Sequence, residues 1–329
     1  LKKNQTLLLA SLLAVISVAA ILFGSSGLGP VDVWNWVFKG TNSILVSRVI
    51  FDLRLPQVLT ALLSGAALGL AGYLSQTLFR NDLADPYIAG IASGAMFGVN
   101  VSLLAGFTLT LAGISTISIA AFLGAWVGVV AIWAMSSRTG TSGSSLILSG
   151  VALSFVFAGI NYVIIMIGRD ILNKSTFWSW NGLKTSNWTG VVVMVISLAI
   201  VTVLLPLVSR SVDAYLLGDE SSTYLGVNPK RLRIFLFLLV SILTGSAVAT
   251  SGILGFVGLI IPHICRRFFG STSKVMIPSS ILLGGTVLVF ADLIGRVIIP
   301  YQEIPAQVTM SLVGGGFFIY LLLKRRIDA

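Results

Sequence analysis

Runs of roughly twenty apolar residues, separated by short polar connections, recur from one end of this chain to the other, and few folds can accommodate that pattern. A helix needs about 20 apolar residues to cross roughly 30 Å of hydrocarbon. Reading the apolar windows against turn and charge signals predicts ten spans, near 7–23, 56–79, 88–107, 111–135, 146–168, 190–208, 234–250, 253–268, 276–298 and 306–323. The eighth is short, and its boundary with the seventh around Ser251 and Gly252 is at best a tight turn, so counts of nine or eleven stay open. Composition agrees. Of 329 residues 56% are hydrophobic and only 10% are Asp, Glu, Lys or Arg, whereas a soluble domain carries about 25% charged residues to wet its surface. The expectation is an all-α polytopic membrane protein, a single transmembrane domain over residues 1–329 in a cell membrane. The first run follows Lys2 and Lys3 as a signal peptide would, but no small-x-small cleavage site precedes Gly24, so it reads as a retained first helix.

The formal net charge of +10 would suggest nucleic acid in a soluble protein. Here the basic residues lie in short connections, and topology explains them. With the amino terminus inside, the inner connections hold Lys2, Lys3, Arg80, Arg138, Arg210, Lys230, Arg231, Arg233, Arg266, Arg267, Lys274, Lys324, Arg325 and Arg326; the outer ones hold Lys39, Arg48, Arg54, Arg169, Lys174, Lys184 and Arg296. The excess favours both termini in the cytoplasm, which requires an even number of spans. Trp34, Trp36, Trp178, Trp180 and Trp188 fall in outer connections, where amphipathic rings suit the headgroup level.

Three connections exceed a turn. VDVWNWVFKG, within 24–55, and STFWSWNGL, within 169–189, read as short surface helices on the outer side. The inner segment 210–233 is the most polar stretch, with Asp213, Asp219, Glu220 and three basic residues near its end. It is either a wetted loop or the place where a soluble partner docks. Glycines cluster inside spans, as Gly65, Gly69 and Gly72 and as Gly245, Gly252, Gly255 and Gly258, which fits close helix packing in lipid or hinge movement during transport. Gly65–Gly72 and Gly245–Gly252 share a spacing of seven on spans of opposite direction, a weak sign of an inverted repeat.

Little in the sequence suggests catalysis. The sequence contains no G-x-x-x-x-G-K-[ST] motif, so ATP hydrolysis by a P-loop is not expected of this chain. His263 is the only histidine and Cys265 the only cysteine, too few ligands for a metal site, and no intrachain disulfide can form. Neither a cofactor nor a nucleic-acid partner is expected. Pro262, beside His263, should free a backbone carbonyl and shape its helix. Asp292 and Arg296 are four apart and share a helix face, either as a structural ion pair at the membrane rim or as a partner contact. Repeated buried carboxylates, the mark of a proton relay, are missing, which counts against an ion-coupled secondary carrier.

Four stretches together carry a family likeness. LRLPQVLTALLSGAALGLAGYLSQTLFRNDLADPYIAGIASGA (53–95), LGVNPKRLR (225–233), GILGFVGLIIPHICRRFFG (252–270) and ADLIGRVIIPYQEIPAQVTMSLVGGGFFIYLLLKRR (291–326) resemble, in order and over essentially the whole chain, the FecCD-type permeases of ATP-binding-cassette importers for ferric siderophores, haem and cobalamin. The resemblance implies ten helices in the cobalamin-permease-like fold and pairing with a second permease subunit, identical or not, with the path between them. It implies two cytoplasmic ATPase subunits that bind ATP and Mg, and an extracytoplasmic solute-binding protein that delivers cargo. It implies alternating access, with an iron siderophore as the leading cargo and haem or cobalamin as rivals. It maps the coupling element onto Val212 to Gly226, with Val212, Asp213, Leu216, Leu217, Gly218, Asp219, Glu220, Leu225 and Gly226 as the residues meeting the ATPase. It maps binding-protein docking onto Arg54 and Arg296; Gln57 departs from the basic residue often found at its position. A cytoplasmic gate is implied at Arg138, Thr139, Gly140, Thr141, Ser142 and Gly143. In 76–86, Asn81, Asp85 and Pro86 read as turn and cap residues.

Overall fold

A computed structural model of the chain describes residues 3–39, 44–107, 109–111, 114–139, 143–168 and 170–327. In order, the helices are α1 (Lys3–Leu22), α2 (Pro30–Lys39), α3 (Ile44–Arg48), which runs through a π-turn (Val49–Arg54) into α4 (Leu55–Phe79), then α5 (Ile91–Leu104), α6 (Thr116–Thr139), α7 (Gly143–Ile167), α8 (Ile171–Asn181), α9 (Trp188–Tyr215), α10 (Asp219–Tyr224), α11 (Pro229–Ser251), α12 (Val257–Phe268), α13 (Ser273–Val297) and α14 (Ala306–Ile327). A 3-10 turn (Pro86–Ala89) precedes α5, and a two-residue antiparallel pair, β1 (Thr110–Leu111) with β2 (Ile114–Ser115), precedes α6. Ten of these match the ten spans read from the sequence, and α2 and α8 fall where surface helices were expected. Among the described residues seven helices are long and apolar enough to cross a membrane. The predicted edges needed one large change: α9 continues through Pro206 to Tyr215, seven residues beyond the expected 208.

Successive long helices alternate in direction, so the bundle has two distinct ends. The end carrying Arg80, Arg233 and Arg266 is called the basic end below, and the end carrying Trp34, Trp178 and Trp188 the aromatic end. At the aromatic end Trp188 Nε1 donates to Phe51 O (3.0 Å) and Ser25 Oγ donates to Glu303 Oε1, joining three connections that are distant in sequence.

The core is built around α4, most of whose residues are buried and which packs against α1, α9, α11, α12 and α13. Lipid tails are as apolar as leucine, so contact between backbones, rather than escape from solvent, must hold such a helix in place. Gly65 and Gly284 let α4 and α13 touch directly: a Cβ on either would sit 2.2–2.3 Å from the other's carbonyl oxygen. Gly72 does the same against α12, where a Cβ would lie 1.9 Å from Gly258 O. The equally spaced pair Gly245 and Gly252 works differently. A Cβ on Gly245 would meet only side chains at ordinary distance, the Phe122 ring at 3.6 Å and Ala125 Cβ at 3.8 Å, and Gly252 ends α11 with φ 72°, its backbone against Ser179 O of α8. The repeated spacing is therefore not a repeated packing role.

The two halves correspond instead in their broken helices. α5 and α12 are each third in their set of five, run in opposite directions, and have 14 and 12 residues, giving lengths of about 21 and 18 Å against roughly 30 Å of hydrocarbon. Irregular backbone completes each: residues 80–90 before α5 and 252–256 before α12. Such backbone survives at membrane depth only when enclosed by protein or lining a cavity. Here the two segments enclose each other. Leu254 N donates to Tyr87 Oη (3.2 Å), Ile253 N donates to Ser179 O (3.3 Å), and Pro86 packs against Gly258. Phe256 completes the second segment in the left-handed region (φ 68°), its side chain against Gly314 of α14. Asp85 Oδ1 accepts from Tyr87 N (2.8 Å), the cap role read from its sequence.

Pro262 lacks an N–H and so leaves Gly258 O, four residues earlier, without its helical donor. Gln76 Nε2 of α4 approaches that oxygen at 3.4 Å, supplying the missing donor from a neighbouring helix, and also reaches Leu259 O at 3.3 Å. The His263 ring packs edge-on against Phe317 of α14.

Gly72→Val should lower the melting temperature of the purified chain in detergent by several degrees, since overpacking of a tight contact costs about 1–3 kcal/mol or more. Gly159→Val, where a Cβ would meet nothing within 4 Å, should leave it unchanged.

Candidate functional site

The segment singled out for its polarity folds back on the basic end as a short helix held by a single carboxylate. α4 stops where Arg80 takes the left-handed conformation (φ 48°, ψ 41°) and donates its N–H to the last-turn carbonyls of Gln76 and Thr77. α9 stops at Tyr215, Gly218 turns the chain at φ 115°, α10 forms, Gly226 turns it again at φ 80°, and Asn228 Oδ1 caps α11 by accepting from Arg231 N (3.1 Å). Asp219, at the start of α10, then lies between two arginines. Arg80 Nη2 donates to its Oδ1 (2.7 Å) and Arg233 Nη2 to its Oδ2. The Tyr215 ring lies beneath both cations, 3.9 Å from the Arg80 guanidinium and 5.6 Å from that of Arg233. Tyr215 Oη accepts from Arg233 Nε (2.8 Å) and donates to Leu78 O (3.1 Å), while Arg80 Nη2 also reaches Tyr215 O (2.6 Å). One small helix is thus fastened to the ends of α4, α9 and α11. Partial burial pushes the Asp219 carboxyl upward, but hydrogen bonds and charge from Arg233 and then Arg80 outweigh it and hold the group below its ordinary value of 3.8.

The other residues expected to couple differ in their surroundings. Val212 is buried in the core. Asp213 Oδ1 accepts from Ser273 N (2.9 Å) and Ser273 Oγ (2.6 Å), anchoring the start of α13. Leu216, Leu217 and Leu225 are exposed, as are Glu220 and Tyr224, with Leu217 at 67% and Tyr224 at 91%. An apolar edge flanking a braced helix at the end of a membrane bundle is suited to receive a protein surface. Beside it Arg266 bridges Gln76 Oε1 and Asp82, the latter at 3.3 Å. Of the expected gate residues, Arg138 and Thr139 end α6 and Gly143 begins α7; Gly140, Thr141 and Ser142 lie outside the described residues.

At the aromatic end the two arginines read as docking residues are buried, Arg54 at 4% and Arg296 at 3% exposure. Arg54 Nη1 donates to Ile21 O (2.9 Å) and Leu22 O (3.0 Å), and Nη2 to Ser26 Oγ (2.9 Å) and Leu28 O (2.7 Å). Arg296 Nη1 donates to Ala20 O (3.0 Å). Together they satisfy three successive carbonyls at the end of α1 that the helix cannot satisfy itself. Arg296 Nη2 also lies 2.9 Å from Asp292 Oδ2, an ion pair whose approach is too oblique for a hydrogen bond, and Gln57 Nε2 donates to Asp292 Oδ1 (3.0 Å). Of the two readings of the Asp292–Arg296 pair, this geometry fits the internal ion pair. Where the resemblance often has a basic residue, Gln57 supplies a neutral donor to the same buried carboxylate. In this structure neither guanidinium is presented to a partner. Each fastens α1, to α4 through Arg54 and to α13 through Arg296.

The pairing of Asp219 with Arg80, 139 residues away, had no local signal in the sequence. Tyr215 was missed for the same reason, although an aromatic residue among arginines at a helix end was visible.

Comparison with known proteins accords with this architecture. The FecCD transport family matches residues 12–324, and the chain belongs to that family. It is an integral membrane permease of the kind that forms part of ATP-binding-cassette importers. The hemin transport system permease protein HmuU of Yersinia pestis is 33% identical over 318 residues, 96% of this chain and 94% of that one. The iron(3+)-hydroxamate import system permease protein FhuB of Bacillus subtilis is 34% identical over 317 residues, 96% of this chain and 82% of that one. A solved structure described as an inward-facing conformation of a metal-chelate type ABC transporter superposes with a TM-score of 0.85 at 28% identity, covering 98% of this chain and 99% of the other.

Asp219→Asn should lower stability by on the order of 1 kcal/mol, a small figure because the carboxylate is about half exposed and screened. Since its folded pKa is depressed, the difference between wild type and variant should be constant above about pH 5 and should shrink as pH falls through and below 3.8; urea titrations across pH measure it. Asp292→Ala leaves Arg296 buried without its counter-charge and should cost about 3–5 kcal/mol in the same assay.

Proposed function

We propose that this chain is the membrane-spanning subunit of an ATP-driven importer of ferric siderophores, working beside a second permease copy or sister chain. The basic end, with both termini, faces the cytoplasm, and the aromatic end receives cargo from a solute-binding protein. The observation that carries this reading is α10 with its flanks: Tyr224 at the end of the helix, and Leu217 and Leu225 just before and after it, form an exposed apolar edge on a segment clamped to three other helices. A wetted loop would have no need of that bracing. ATP and Mg belong to the cytoplasmic partner docked on this edge.

Alternating access follows from the connections. When ATP draws the ATPase subunits together, α10 is displaced, and the Asp219 clamp passes the displacement to α4 and α11 while Asp213 passes it to α13. The energy for uphill transport is the difference in the partner's affinity for the two states. The interlocked segments 80–90 and 252–256 are the places where a helix can shift without breaking a continuous hydrogen-bond ladder. Likeness to a hydroxamate permease supports siderophore cargo; equal likeness to a hemin permease supports haem as the second reading.

Leu217→Glu places a charge on the docking edge and should reduce co-purification of the ATPase and cargo uptake by tenfold or more, or about 1.4 kcal/mol of binding, with the permease's melting temperature unchanged. Uptake of ferric hydroxamate, ferric catecholate, haem and cobalamin by vesicles holding the whole importer separates the cargo readings; haem transport without siderophore transport would replace the first with the second.

A further inference from the structure

At the aromatic end α6 and α9 both lean on α11 and separate, and α8 lies across the gap. The half-open cavity between them has a volume of about 860 Å³, in the range of pockets that take a small organic molecule, roughly 300–1,000 Å³. Phe122 and Ile117 of α6 and Val193 and Ile196 of α9 form its walls. Beyond the walls the same two helices expose Leu123, Val127, Val192 and Val195, so the cavity continues an apolar surface that faces hydrocarbon.

Much of its polar lining is already occupied, Ser118 and Asn173 being exceptions among the lining side chains. Thr250 Oγ1 donates to Ser246 O (2.9 Å), Ser197 Oγ donates to Ser246 Oγ (2.7 Å), and Thr185 Oγ1 donates to Gly182 O (3.1 Å). A polar chelate would find the hydroxyls of Thr185, Ser197 and Thr250 committed to the protein itself, whereas a hydrocarbon chain asks nothing of them. At the mouth the exposed side chain of Lys174, on α8, forms no ion pair among the described residues. Trp180 and Trp188, both exposed, place this mouth at headgroup level. An apolar cleft under a free ammonium group at that depth has the two-part chemistry of an anionic phospholipid.

We propose that this cavity is a lipid site in the bilayer leaflet at the aromatic end, holding one acyl chain between α6 and α9 with the phosphate of an anionic headgroup on Lys174. An empty cleft would forfeit dispersion contacts on every wall, and a chain restores them. The occupant lies directly behind α8, whose far end is pinned to the α11–α12 turn through Ser179 and Gly182.

The test uses the full chain purified in detergent, incubated with palmitoyl-oleoyl phosphatidylglycerol or phosphatidylcholine, and examined by native mass spectrometry. One phosphatidylglycerol per chain should be retained about fivefold better than phosphatidylcholine, the effect of one basic residue near an anionic headgroup. Lys174→Ala should remove that preference, and Ala249→Phe, which fills the cavity floor, should lower retention of both lipids. Equal retention of the two lipids by wild type, or an unchanged preference in Lys174→Ala, overturns the proposal even if Ala249→Phe fails to fold. Displacement of the bound lipid by a ferric siderophore also overturns it and assigns the cavity to cargo.

Discussion

Hydrocarbon offers no hydrogen bonds, so every backbone N–H and C=O in the bundle must find its partner within the protein. Eight of the ten long elements meet most of this demand as full-length helices, with Pro206 in α9 and Pro278 in α13 each withdrawing one donor. α5 and α12 do not, and much of the architecture follows from how their missing turns are accommodated. Residues 80–90 and 252–256 face each other; Tyr87 Oη reaches Leu254 N, Ser179 O reaches Ile253 N, and Gln76 attends the carbonyl that Pro262 leaves exposed. The same need appears at the end of α1, where Arg54 and Arg296 collect three carbonyls. Two arginines that seem in the sequence to be surface charges are thus used inside the protein, at an energetic cost for Arg296 that Asp292 and Gln57 offset.

Glycine makes these arrangements possible. Where α4 meets α13 and α12, backbone touches backbone, and the contact leaves no room for a side chain on Gly65, Gly72 or Gly284. Close approach brings α4 within reach of the elements that its polar side chains must serve. Gln76 could not approach Gly258 O across a layer of leucines.

The order and approximate limits of the helices were legible from apolar run length alone, because one solvent imposes one length. Short runs were harder to place: 253–268 looked like a span, yet the helix begins only at Val257, since Gly252, Gly255 and Pro262 break the pattern without saying where the backbone goes. The segment 210–233 stood out by its polarity, and the family likeness implied a coupling role for it. Its bracing was not legible, because Arg80, Tyr215, Asp219 and Arg233 are brought together by three helix ends. Arg54 and Arg296 were placed correctly at one end of the bundle, but their burial depends on the return of α1 beside them, which no local pattern encodes. Asp292 and Arg296, four apart on one helix, needed only helical geometry to be paired.

Phe256 holds a conformation that a bulky L-residue adopts at a cost of about 1–2 kcal/mol. Its neighbours compensate with bonds to α8 and to the segment before α5, and its ring rests on Gly314. The turn therefore resembles a bent spring with three catches, on α8, on Tyr87 and on α14. Releasing any one would let the backbone relax toward a commoner shape, so the direction in which this part of the protein yields is already set by the side from which it is held.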